Sequence, residues 1–198
     1  MMRFPLTLSF KIVALAPQIR VVDADGQTVC YVRQKLLKLR EAVEVFTDET
    51  RGHRLCEIKA DRVIDFSATY RFIDNEEREF GSVRRRGLRS LWRANYETQD
   101  DLARPSLELH EENGWVKVMD GIFGELPILG MFSGYLFHPS YLISRTGGGE
   151  PLYRVRKEPA FWEGRFSVEK LSASADAGDD LRAVMSALMM LLLERRRG

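Results

Sequence analysis

The chain has 198 residues, enough to bury one sizeable core, and its 44% hydrophobic and 30% charged composition excludes both disorder and wholesale membrane embedding. Its 30 basic and 29 acidic residues leave a net charge of +1, which excludes the broad positive field of a dedicated nucleic-acid binder.

The first element runs from Leu6 to Ile12, where Leu6, Leu8, Phe10 and Ile12 alternate with Thr7, Ser9 and Lys11 at the period of a half-buried strand. Ala14-Leu15-Ala16 imitates a signal-peptide cleavage site, but Ser9 and Lys11 interrupt the apolar run that such a peptide requires, so a cytoplasmic protein is expected. Beyond Pro17, Ile19 to Asp23 and Val29 to Arg33 flank Asp25-Gly26, a strong hairpin signal. The two cysteines, Cys30 and Cys56, are too few for a disulfide framework and read as free, buried thiols.

Lys35 to Arg40 fits a short helical turn, and Val43 to Thr47 with Leu55 to Ala60 forms a second hairpin around the polar Asp48 to His53 loop. The pattern repeats through Val63 to Ile73, Asp74-Asn75, and Glu79 to Arg84. Leu88 to Glu97 reads as a strand with Leu88, Ser90, Trp92, Ala94 and Tyr96 on the inner face and Arg89, Leu91, Arg93, Asn95 and Glu97 on the outer. Leu107 to His110 and Trp115 to Met119 are expected to pair across Asn113-Gly114. Segment 121–139 has no clean period, and Tyr141 to Ser144, Pro151 to Arg156 and Arg165 to Leu171 add further short strands. This is a mostly β chain, a barrel or sandwich in one domain over residues 1–198.

The C-terminus breaks the strand pattern. Leu181 to Leu193 is apolar nearly all round, with Asp179 and Asp180 before it and Glu194-Arg195-Arg196-Arg197 after it, charges that suit the helix macrodipole. A helix apolar on every face is surrounded by protein or by lipid. At about 1.5 Å per residue this stretch is about 20 Å long, short of a hydrocarbon core of ~30 Å, so burial in protein is expected over a short tail anchor.

Three stretches are similar to the tubby-like superfamily, in particular to the LURP-one-related proteins and the phospholipid scramblases. They are Tyr31-Val32-Arg33-Gln34-Lys35 with Leu36 to Arg40, Gly81 to Leu88 with Arg89-Ser90-Leu91-Trp92-Arg93, and the closing Asp179 to Leu193 helix. The resemblance implies a closed antiparallel β-barrel of about twelve strands around a central hydrophobic C-terminal α-helix. Roles in that superfamily range from phosphoinositide binding to calcium-linked lipid functions. The chain lacks the proline-rich and cysteine-rich stretches of eukaryotic scramblases, so scrambling is not carried over.

Arg84, Arg85, Arg86, Arg89 and Arg93 form the densest positive cluster, followed by an acidic stretch containing Glu97, Asp100, Asp101, Glu108, Glu111 and Glu112. Clustered guanidinium groups grip phosphate or carboxylate oxygens bidentately, whereas a solvated face paired with the following acids is the plainer alternative. Asp176, Asp179 and Asp180 occupy the position of the acidic segment of scramblases. The twelfth position counted from Asp176 is Ala187 and not a glutamate, so capping and solvation are expected in place of calcium. His53, His110 and His138 have no metal-ligand spacing, and Gly147 to Gly149 leads into Pro151 without the context of a phosphate loop. No cofactor and no catalytic constellation is indicated. The expected role is a non-enzymatic binding module whose outer arginines engage an anionic lipid head group or phosphorylated ligand, with a protein-protein scaffold as the alternative.

Overall fold

A computed structural model describes residues 2–11, 18–33, 42–62, 68–85, 95–112, 140–160 and 163–194. Within these, twelve strands are formed: β1 (Leu6–Lys11), β2 (Gln18–Val22), β3 (Thr28–Arg33), β4 (Ala42–Phe46), β5 (Arg54–Ala60), β6 (Thr69–Ile73), β7 (Glu79–Arg85), β8 (Asn95–Gln99), β9 (Pro105–Glu111), β10 (Ser140–Arg145), β11 (Pro151–Glu158) and β12 (Glu163–Lys170). A single helix, α1, spans Ala177–Glu194. Each strand pairs antiparallel with its sequence neighbours, and β1 closes the ring on β12 with Leu8 opposite Phe166. Closure leaves no free sheet edge.

The alternation read from the sequence decides which side chains turn inward. Leu6, Leu8, Val21, Val32, Val45, Phe72, Leu107, Leu109, Ile143, Val155 and Val168 have no solvent exposure, and they surround α1. From Ala183 to Met190 every helix residue is at most 1% exposed. Eight consecutive residues at 3.6 per turn cover all azimuths, so the barrel wall encloses the helix on every side. Ser186, the polar interruption, hydrogen-bonds Thr98 of β8 at 3.1 Å, and Met185 places its sulfur 3.7 Å from that of Cys56.

The two ends of the barrel differ. One carries tight turns that begin at Asp23, Asp48, Asp74 and Asp100, nearly equally spaced along the chain. In each, the aspartate Oδ1 accepts the backbone N–H two residues on, and in three of them also the N–H four residues on. A left-handed residue follows, Gly26, Arg51, Glu77 or Ala103, and one strand shifts register beside it. This is the hairpin in which a type I turn ends in a bulge. Aspartate caps thus hold three non-glycine residues in a conformation that costs each roughly 1 kcal/mol or more. The first turn of α1 lies at this end, beside the ends of β10 and β12. The opposite rim is where β1, β3, β5, β7, β9 and β11 end and the C-terminal end of α1 points.

Two expectations are corrected. Leu107–His110 does not pair with 115–119, because both edges of β9 are occupied, one by β8 and the other by β10. Asp179 and Asp180 are not solvated; they are 1% and 3% exposed. The expected turn at 35–40, the first part of the 63–73 strand, residues 115–119 and segment 121–139 lie outside the described residues.

Candidate functional site

Of the arginine cluster, Arg84 and Arg85 are the last two residues of β7, while Arg86, Arg89 and Arg93 lie outside the described residues. Antiparallel register sets Arg84 opposite Glu97 of β8. Its Nε and Nη2 both donate to Glu97 Oε2, at 3.1 and 2.8 Å. The Arg84 side chain stays 46% exposed over a carboxylate that is only 4% exposed. Tyr96 points inward as its parity predicts, but Glu97, expected on a solvent face, is buried.

A second constellation, of which only the aspartates were legible in the sequence, is built at the turn end around the start of α1. Asp176 caps the helix: its Oδ1 accepts the Asp179 N–H at 2.7 Å, and Asp179 Oδ2 accepts the Asp176 N–H at 3.3 Å. This reciprocal pair is a capping box made with two aspartates. The same Asp179 carboxylate receives Arg182 at Oδ1, 3.0 Å, and Arg145 of β10 at Oδ2, 3.1 Å. Asp180 Oδ1 accepts Tyr153 Oη at 2.6 Å and Lys170 Nζ at 2.7 Å; the ammonium also bonds the Ala175 carbonyl and lies 5.6 Å from the Phe4 ring centroid. Gly81 makes room for the stem of Arg182. A Cβ there would lie 2.8 Å from the Gln99 carbonyl oxygen and 3.1 Å from Arg182 Cδ.

Between this first turn, the β8–β9 turn and the end of β10 lies a cleft of about 440 Å³. It is lined by Asp100, Arg104, Arg145, Asp176, Asp179 and Arg182, together with Pro105, Ser106 and Thr146. Arg104 is paired with Asp100 at 2.8 Å and remains 67% exposed. The backbone hydrogen bond from Asp179 is the main cause holding the Asp176 carboxyl below its ordinary value; burial opposes it, and Arg182 and Arg145 assist. Only Arg182, three residues after Asp179 on the helix, could have been matched to it from the sequence, because Arg104 and Arg145 arrive through barrel closure.

The remaining reactive groups are interior. Cys30 and Cys56 are free and buried. Burial, reinforced by Cys56, raises the Cys30 thiol, while burial outweighs the attraction of Arg54 and pushes Cys56 up to about 12. Thiols held neutral in this way are poor nucleophiles. Burial, then the hydrogen bond to Asp180, raises the Tyr153 hydroxyl as well. Among the described residues no group of three or more His, Cys, Asp and Glu side chains could hold a metal ion, and no helix is long and apolar enough to cross a membrane.

Fold and site together define a closed, up-and-down antiparallel β-barrel filled by its own C-terminal helix. The chain matches no family model, no curated protein and no solved structure.

Proposed function

We propose that this is a cytoplasmic, non-enzymatic binding module of the tubby-like, LURP-one-related kind, which engages an anionic lipid head group or a phosphorylated ligand through Arg84, Arg85, Arg86, Arg89 and Arg93. The observation that carries this reading is the placing of Arg84. Two hydrogen bonds to one oxygen of a buried glutamate fix its guanidinium at the rim, yet nearly half of the side chain faces solvent. A guanidinium fixed beforehand loses less entropy on gripping a phosphate. Arg85 follows it at the end of the strand, and the three further arginines follow in the chain.

The test is co-sedimentation with vesicles containing phosphatidylserine or phosphoinositide over a salt series. Exposed charges are screened over ~8 Å at physiological salt, so binding falls steeply with ionic strength, and neutral vesicles do not compete. Arg86→Gln with Arg89→Gln weakens binding without changing the melting temperature. Absence of binding at low salt, or binding indifferent to the double substitution, rejects this role. A protein-docking role is the second reading, favoured by Leu55, Leu102 and Leu171, which are 39%, 65% and 41% exposed and all lie towards the turn end. Under that reading vesicles are ignored, and a charge introduced at Leu102, as Leu102→Asp, abolishes capture of the partner instead.

A further inference from the structure

The cleft at the turn end lies on the opposite rim from the β7 arginines, and its chemistry differs from theirs. Three guanidinium groups and three carboxylates line it, drawn from three stretches of chain: Asp100 and Arg104 from the β8–β9 turn, Arg145 from β10, and Asp176, Asp179 and Arg182 from the start of α1. Asp179 is spent internally. Its two oxygens hold Arg182 and Arg145, and at 2% side-chain exposure it meets no ligand. What it does is fix the two guanidinium groups that bound the cleft.

The accessible groups are left partly unsatisfied. Arg145 uses only Nη2 of its guanidinium, shared between Asp179 and the Ser174 carbonyl, and its side chain is 43% exposed; its other side-chain N–H groups make no hydrogen bond among the described residues. Arg104 gives Nε and Nη2 to one oxygen of Asp100, and its side chain is 67% exposed. Opposite in charge, Asp176 commits Oδ1 to the helix cap, and its carboxylate lines the cleft. A bare anion would be attracted by the arginines and repelled by Asp100 and Asp176, and a bare cation the reverse. Both sets are answered at once by a ligand carrying both charges, and the volume falls within the range of about 300–1,000 Å³ typical of small-molecule sites.

We propose that this cleft binds a small zwitterion, a phosphate or carboxylate a few bonds from an ammonium group, with the oxyanion on Arg104 and Arg145 and the ammonium on Asp176. Phosphoethanolamine and short amino acids share this chemistry, and the experiment separates them. Thermal shift and titration calorimetry are run on the full chain with O-phosphoethanolamine, glycine and β-alanine, and with inorganic phosphate and ethanolamine as single-charge controls.

At least one zwitterion raises the melting temperature, and neither control does. Arg104→Gln weakens that binding tenfold or more. Asp176→Asn keeps a good helix cap, so the apo melting temperature holds while the zwitterion is lost and inorganic phosphate begins to bind. That exchange of ligand is a readout a purely structural role would not produce. The arm that responds, phosphate or carboxylate, names the source. The proposal is overturned if no zwitterion binds, if a single-charge control binds as well, or if both variants bind like the wild type. Arg86→Gln with Arg89→Gln leaves zwitterion binding intact, so either site can fail alone.

Discussion

Asp179 has both carboxylate oxygens committed inside the barrel, Oδ1 to Arg182 and Oδ2 to Arg145 and the backbone of Asp176. Its neighbour Asp180 takes both Tyr153 and Lys170 on one oxygen, Oδ1. Removing one member of a buried ionic set leaves charges that neither water nor protein compensates, at a cost of about 3–5 kcal/mol. Asp179→Ala is therefore expected to lower the unfolding free energy read from urea denaturation by that order, far beyond the loss of a surface charge. Adding Arg182→Met recovers part of the loss, since one stranded guanidinium goes with it; strict additivity in the double-mutant cycle would show that the pair does not interact. The aspartates were visible in the sequence as a helix start. Their burial was not, because their partners Arg145, Tyr153 and Lys170 belong to β10, β11 and β12.

The hairpin turns are the clearest case of an element written locally. Each opening aspartate caps its own loop, and the carboxyls of Asp48, Asp74 and Asp100 sit below their ordinary value. At Asp48 the Thr50 hydroxyl is the main cause, and at Asp74 the Arg78 backbone N–H. At Asp100 burial pulls upward, but the Arg104 side chain and backbone bonds outweigh it. A carboxyl lowered on folding binds fewer protons in the native state than in the unfolded one across the acid range. The stabilisation is thus present above the ordinary aspartate value of about 3.9 and is lost as pH falls through it towards the lowered folded values. Chemical unfolding at decreasing pH is expected to show a falling midpoint below about pH 4, and NMR titration of Asp74 and Asp100 a midpoint below that of an aspartate in a short peptide. Asp74→Asn retains the turn and removes its share of the pH dependence. The polar loops around Asp48 and Asp74 and the Asp-Gly at 25–26 were read correctly as turns for this local reason.

At the scale of the whole molecule, α1 is the core and the barrel is its coat. Leu188 has no exposure, so Leu188→Asp sets an unpaired charge at the centre of the only helix described, a penalty of several kcal/mol set against a typical stability of about 5–15 kcal/mol. The expected outcome is an unfolded or aggregated chain by circular dichroism. A soluble variant with an unchanged melting temperature would mean that the barrel stands without its helix.

What the sequence determined by itself is whatever depends on near neighbours. Strand alternation turned Leu6 and Leu8 of β1 and Tyr96 of β8 inward, the aspartate and glycine turns set the hairpins, and an apolar stretch too short to span a bilayer marked the buried helix. What only the tertiary structure decided depends on residues far apart in the chain. Barrel closure set β1 against β12, occupied both edges of β9, buried Glu97 beneath Arg84, and carried Arg104 and Arg145 to the first turn of α1. Side-chain period says which face of a strand is apolar, but register and closure say which charges meet, and those are set by the packing of all twelve strands around one helix.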